Sequence, residues 1–296
     1  MKNQHLNRLV RTYVSLGILM MFLSAASIAQ DEVCLPSPNG QIKACVFADT
    51  EGQLAYRLTH GGATVIETSA LGVTVDGQTL GSKVKTKPPK RKRISTSYPW
   101  RGVKNRSVNR CNAYDVPVFH QDRGLTWILE VRVFDDGVAY RYRIPGTGSR
   151  RIDREATSWQ LPQGTCVWYQ TNTDSYEGVY NQSRPEDIPL EREVRQGKRP
   201  VFLGCPVTAE LPQGRYALLS EAGLYNYSGM TLRPTSTRTL ESAFEDDPEG
   251  FVSDGPIVSP WRVTIITENL HDLVNSDMIS NLCEPPDDGL FPDAQH

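Results

Sequence analysis

Residues 125–144 read Leu-Thr-Trp-Ile-Leu-Glu-Val-Arg-Val-Phe-Asp-Asp-Gly-Val-Ala-Tyr-Arg-Tyr-Arg-Ile. Trp127, Leu129, Val131 and Val133 alternate with Glu130 and Arg132, the period of a half-buried strand. Asp136-Gly137 interrupts the pattern with a favoured two-residue turn. Val138, Tyr140, Tyr142 and Ile144 then alternate with Ala139, Arg141 and Arg143. A turn centred on 136–137 pairs Val133 with Tyr140, Val131 with Tyr142 and Leu129 with Ile144. Every apolar side chain then falls on one face, so turn and pattern agree. The other face sets Glu130 against Arg143 and Arg132 against Arg141. The first pair attracts and the second repels.

Similar short runs recur at 54–59, 71–75, 201–203, 216–220 and 261–267. Twenty prolines and 23 glycines punctuate them. Only 270–279 offers a turn or two of helix. Alternating βα units are absent, which argues against dinucleotide-binding and (β/α)₈ architectures. The expected class is all-β, a mainly antiparallel sandwich with few short helices. The chain has 296 residues, of which 39% are hydrophobic and 22% charged, so wholesale disorder is excluded. A net charge of −2 names no strongly charged partner.

The first 29 residues have the form of a secretory signal. Lys2, Arg8 and Arg11 precede an apolar stretch, Val14–Leu23, and Ser27-Ile28-Ala29 offers small residues for cleavage. That stretch is too short for a membrane span of about 20 residues. A secreted or periplasmic domain over 30–285 is expected, with no membrane attachment after cleavage. All six cysteines lie beyond the signal, and export permits disulfides. Cys34 and Cys45 lie symmetrically about Asn39-Gly40. A two-residue turn there makes them a hydrogen-bonded pair with Cβ atoms further apart, and Pro36 and Pro38 disturb the ladder. These points weigh against a bridge, and the connectivity stays open.

Lys83–Arg110 holds eleven Lys and Arg and no Asp or Glu. It reads as an exposed, solvated loop, with a polyanion-binding adhesion loop as the alternative. No zinc spacing, P-loop or Gly-x-Ser-x-Gly elbow occurs, and histidine is scarce. Residues 168–177, Trp-Tyr-Gln-Thr-Asn-Thr-Asp-Ser-Tyr-Glu, mix rings with amides and carboxylates. Such a set suits sugar, whose C–H face stacks on a ring while its hydroxyls take fixed polar partners. From composition alone it reads first as a surface loop with core-facing aromatics.

Five phrases occur in a telling order: Ser37-Pro38-Asn39-Gly40, Leu71-Gly72-Val73, Val133–Tyr142, Ser175-Tyr176-Glu177 and Ser259-Pro260-Trp261-Arg262-Val263. Together they resemble the N-terminal domain of glycoside hydrolase family 97, over about residues 33 to 285. The resemblance implies a β-supersandwich of the galactose-mutarotase-like kind. It also implies exported bacterial enzymes acting on α-glucosides or α-galactosides, in which a catalytic (β/α)₈ barrel follows this domain. One glutamate of the domain helps hold a calcium ion in that family, and the matching position is Glu177. The remaining ligands and the catalytic acid and base come from the barrel.

A barrel takes about 250 residues, and eleven remain after 285. The expectation is therefore an accessory, carbohydrate-binding domain that is non-catalytic alone, with 286–296 a truncated linker. The alternatives are half of a split α-glycosidase working with a separate barrel chain, or the adhesion module. Glu177 is the single expected metal ligand, completed only with a barrel. Trp168, Tyr176 and Trp261 are the carbohydrate-binding candidates. No nucleic-acid partner is expected.

Overall fold

Leu125–Phe134 and Gly137–Ile144 do form an antiparallel hairpin, but the register differs from the expected one by two residues. Val133 faces Val138, Val131 faces Tyr140 and Leu129 faces Tyr142. The turn residues are Asp135 and Asp136, neither with positive φ. Gly137 lies inside the second strand, and the reason is nonlocal. Trp261–Thr267 pairs there, and a Cβ on Gly137 would run into the Thr264 carbonyl oxygen and come 2.6 Å from Met278 Sδ. A slip of two residues keeps the same face inward. It also removes the expected repulsion, since Arg132 now faces Ala139 and Glu130 faces Arg141. Glu130 pairs with Arg141 at 2.5 Å and Arg143 at 2.7 Å. We expect Gly137→Ala to cost about 1–3 kcal/mol, measured by denaturant unfolding. A variant as stable as the parent would show that the strands part freely.

The computed structural model describes residues 32–100, 104–195 and 197–285. The expected signal (1–29) and linker (286–296) lie outside these. The described chain is an all-β, sandwich-like fold of antiparallel sheets. An eleven-stranded sheet forms one layer. One end is the three-residue strand Asn181–Ser183; at the other, Val84–Thr86 and Lys90–Pro99 both pair with Arg106–His120. Smaller sheets lie across its inner face. One is the four-stranded meander of Val33–Pro36, Ile42–Ala48, Leu54–His60 and Ala63–Ala70. Trp127, Leu129, Val131 and Tyr142 pack in this inner core with Ile42, Leu58 and Trp159. On the outer face, Phe134, Trp261, Val263 and Ile265 form a second cluster. The short helices Leu270–Val274 and Met278–Leu282 cover it with Leu273, Met278 and Leu282. Among the described residues no helix is long and apolar enough to cross a membrane.

Three further expectations are corrected. Cys34 and Cys45 are joined in a disulfide, with Cα atoms 4.0 Å apart. The register is the symmetric one, but the loop spans four residues, because Ser37 N donates to Ile42 O at 2.9 Å. That shifts the hydrogen-bonding phase by one position. Cys34 and Cys45 become a non-hydrogen-bonded pair, where side chains stand closest. Pro36 falls at another such position on an edge strand, so its missing N–H leaves the ladder intact. The basic stretch is also not a loop. Lys90–Pro99 and Arg106–His120 pair over ten residues as a hairpin. Of the expected strand at 201–203, only a bridge from Leu203 to Leu232 remains.

Candidate functional site

The strand Cys166–Tyr169 ends at Gln170, which is 1% exposed. Its carbonyl accepts from Gly204 N at 3.1 Å, and its side-chain oxygen accepts from Asn172 N at 2.7 Å. Asn172 in turn accepts from Tyr176 N at 3.1 Å and donates to Ser175 Oγ at 3.0 Å. This bracing sets Tyr176 at φ +58°, a left-handed conformation that is strained for a bulky residue. Gly204 permits the close approach, because a Cβ there would strike the Gln170 amide and lie 2.8 Å from Tyr176 Cε1.

The loop is held from within and open outward. Tyr176 is 53% exposed and Glu177 is exposed. Glu177 donates its backbone N–H to Ser175 Oγ at 3.4 Å, and among the described residues its carboxylate has no hydrogen bond or ion pair. Partial burial raises the Tyr176 pKa, and the neighbouring Cys205, Glu221, Glu245 and Asp246 add to it. Burial first, then Glu221, pushes the Cys205 thiol up to about 12. Such burial disfavours the nucleophilic thiolate form.

Of the other two aromatic candidates, Trp168 lies on the strand that leads into this loop and Trp261 on a distant one. Trp168 is 42% exposed and sits between Gln182 and Thr208 of neighbouring strands. Trp261 is 2% exposed. Arg132 at 4.7 Å and Arg141 at 4.4 Å lie over its ring, which is too buried to meet a sugar.

Beneath the loop lies a network that the sequence reading did not assemble. Arg262 and Glu155 have fully buried side chains and form a two-point ion pair at 3.0 and 2.6 Å. Arg262 also reaches Glu221 Oε2 at 2.5 Å, and Glu221 Oε1 accepts from Met230 N. Burial alone would lower the Arg262 pKa, but Glu155 and then Glu221 hold it above its ordinary value. A relay approaches Glu155 from the other side. Gly72 N donates to Tyr142 Oη at 3.0 Å, Tyr142 lies 2.7 Å from Thr157 Oγ1, and Thr157 donates to Glu155 Oε2 at 2.9 Å. Tyr227 donates to Glu155 Oε1 at 3.0 Å. Tyr227 also lines a cleft of about 860 Å³ with Arg141, Tyr225, Asp247, Asp254 and Glu284. Tyr225 and Tyr227 flank Asn226, the same mixture of rings and amide that drew attention to 168–177. Applying that criterion along the whole chain finds them.

Calcium takes six to eight oxygen ligands. Glu177 offers one exposed carboxylate. Among the described residues, the group of three with metal-ligating geometry is Glu32, Cys34 and Cys45. Its two cysteines are consumed by their disulfide. These residues do not make a calcium cage by themselves.

The network brings together phrases that lie far apart in the sequence. Gly72, Tyr142 and Arg262 meet through it. Ser259 exchanges hydrogen bonds with the Tyr142 backbone, and Asn39 N donates to Asp135. The chain is 29% identical over 254 residues to a probable retaining alpha-galactosidase of Streptomyces bingchenggensis, covering 84% of the chain and 38% of that protein. It is 22% identical over 290 residues to a retaining alpha-galactosidase of Bacteroides thetaiotaomicron, covering 88% and 42%. It thus spans about two fifths of the length of these relatives. A glycoside hydrolase family 97 enzyme from Pseudoalteromonas sp. strain K8, solved in complex with acarbose, superposes with a TM-score of 0.76 at 25% identity, over 87% of this chain and 39% of that one. Residues 35–285 match the family described as Glycosyl-hydrolase 97 N-terminal. That match takes in the braced loop, the buried network and nearly every strand, so the chain belongs to glycoside hydrolase family 97 and these residues are its N-terminal domain.

Proposed function

We propose that this is an exported accessory domain of an α-glycosidase, non-catalytic by itself, that presents Tyr176 and Glu177 to an α-linked galactoside or glucoside. The observation that carries this reading is the loop 170–180. Its backbone is fixed by buried groups, yet Tyr176 is half exposed and the Glu177 carboxylate is exposed with no partner among the described residues. A loop built in this way serves something outside the domain. The α-galactosidase relatives, and the family 97 enzymes solved with acarbose and panose, support a sugar as that target. Glu177 contributes one ligand to a calcium ion whose other ligands lie on a catalytic barrel, in the same polypeptide or a separate chain. Calcium there supplies positive charge to the sugar's oxygens. Residues 1–29 direct the domain to the periplasm or beyond, and 286–296 serve as the linker toward the barrel.

Titration calorimetry of the chain with millimolar melibiose and maltose tests direct binding. Saturable heat supports it, and no heat with either sugar removes the sugar-binding role of the isolated domain. Turnover of a nitrophenyl α-glycoside by the chain alone would overturn the non-catalytic reading. For Glu177→Ala we expect a melting temperature within about 2 °C of the parent, as for other surface substitutions. In the hydrolase assembled with its barrel, the calcium requirement should rise on the order of tenfold or more. A drop of many degrees would make Glu177 structural. An unchanged calcium requirement would take it off the metal.

A further inference from the structure

The basic hairpin has two faces with different charge economies. On one face lie Lys90, Lys92, Ile94 and Tyr98, paired with Asp115, Ala113, Cys111 and Ser107. This is the outer face of the large sheet. Ile94 and Cys111 belong to the cluster beneath the helices, and Tyr98 donates to Asn281. Carboxylates are plentiful here. Asp115 and Glu130 meet Arg143, and Asp277 meets Lys104.

The opposite face carries Arg91, Arg93, Ser95 and Ser97, paired with Tyr114, Asn112, Arg110 and Val108, and ends at Arg106 opposite Pro99. The buried Asn112 and Tyr114 both donate to Pro36 O, where the meander covers this face. Beyond that row the hairpin is uncovered. Arg91, Arg93, Arg106, Arg110 and Val108 are all exposed. Four guanidinium groups thus share one open face whose ladder contains no carboxylate. The ion pair recorded for them is Arg110 with Asp135, at 3.7 Å and half exposed. Two of the four are aimed by neutral groups: Arg91 donates to Asn112 Oδ1 at 3.0 Å and Arg106 to Ser97 Oγ at 2.7 Å. Neutral anchors order a side chain and leave its charge uncompensated.

The first three arginines are nearly evenly spaced. Arg91 and Arg93 are about 7 Å apart along one strand. Arg93 and Arg110 are diagonal neighbours at about 7–8 Å. Arg106 follows about 13 Å further. We propose that this arginine face binds a linear anionic polysaccharide, one bearing a carboxylate on each one or two sugar rings. Guanidinium is suited to it, because its planar fork grips a carboxylate through two hydrogen bonds. Single-stranded nucleic acid fits less well, since it takes stacking rings interleaved with the cations. The ring in this ladder face, Tyr114, is buried and bonded to Pro36. The site lies on a different element from the 170–180 loop, so it stands or falls independently of the α-glycoside reading.

Affinity electrophoresis of the chain in native gels containing sodium polygalacturonate tests the proposal, with neutral galactomannan and oligo(dT) as comparison probes. The parent chain should be retarded by polygalacturonate and pass freely through galactomannan. On the order of 0.5 M sodium chloride should abolish the effect. Arg93→Gln/Arg110→Gln should weaken binding by about tenfold or more, as expected for losing two charge-assisted contacts. Lys90→Gln/Lys92→Gln removes the same charge from the opposite face and should change it less than about twofold. All four positions are exposed, so both variants should melt with the parent. Equal loss in the two variants would reduce the effect to net charge and overturn the assignment. So would no retardation of the parent, or tighter retention by oligo(dT).

Discussion

Arg262→Met is expected to destabilise the domain by about 3–5 kcal/mol, the range for breaking a buried ion pair by removing one partner. The substitution fits the space but leaves Glu155 buried beside Glu221 with no cation between them. Tyr227 and Thr157 still donate to Glu155, yet two neutral donors do not replace a guanidinium. For a domain of this size the loss amounts to on the order of 10 °C in melting temperature. Adding Glu155→Gln should recover part of it, because a buried amide is less costly than a buried carboxylate. A loss under about 1 kcal/mol would mean that water reaches the site and screens it. The damage should also reach the 170–180 loop, since Glu221 lies between Arg262 and Tyr176.

Trp261→Ala is the second large effect, at about 3–5 kcal/mol by denaturant unfolding. The ring fills the outer cluster beneath the helices and carries two guanidinium groups over it. Removing it leaves a cavity and two partly buried cations that have lost their π face. Trp261→Phe should cost less than half as much, because a flat ring remains. Calorimetry separates this role from a sugar contact. At a temperature where Trp261→Phe is fully folded, its sugar affinity should equal the parent's. A folded variant with lost affinity would return Trp261 to the binding surface.

The fold class was legible because it rests on a local signal. Alternation from Leu125 to Ile144 needs no partner to be read. The register was not, because Gly137 looks like a turn glycine. Its real constraint is Trp261–Thr267, a strand more than 120 residues away. The hairpin at 90–120 was missed for a related reason. Four consecutive charged residues, Lys90–Arg93, erase the alternation that marks a half-buried strand. The strand forms anyway because its ladder with Arg106–Asp115 and the cover under Ile94 and Tyr98 do not depend on that pattern. Among the site residues, Tyr176 and Glu177 are exposed on the 170–180 loop. Trp261 sits in one of the five phrases that carry the resemblance, and there it is buried scaffold. Arg132 and Arg141 enclose it from strands far upstream, a meeting no linear spacing reveals.

Both ends of the eleven-stranded sheet are closed to growth. At one end the last strand is three residues long, too short to template another chain. At the other, an edge of ten residues would be an open invitation to strand addition. Its first four side chains are all cationic. A second copy aligning there would bring like charges face to face, so self-association through this edge is opposed electrostatically. The protection is conditional, however. A polymer that neutralised the arginines would also weaken the repulsion between copies, and occupancy of one surface would then govern how far molecules of this protein crowd together along the other.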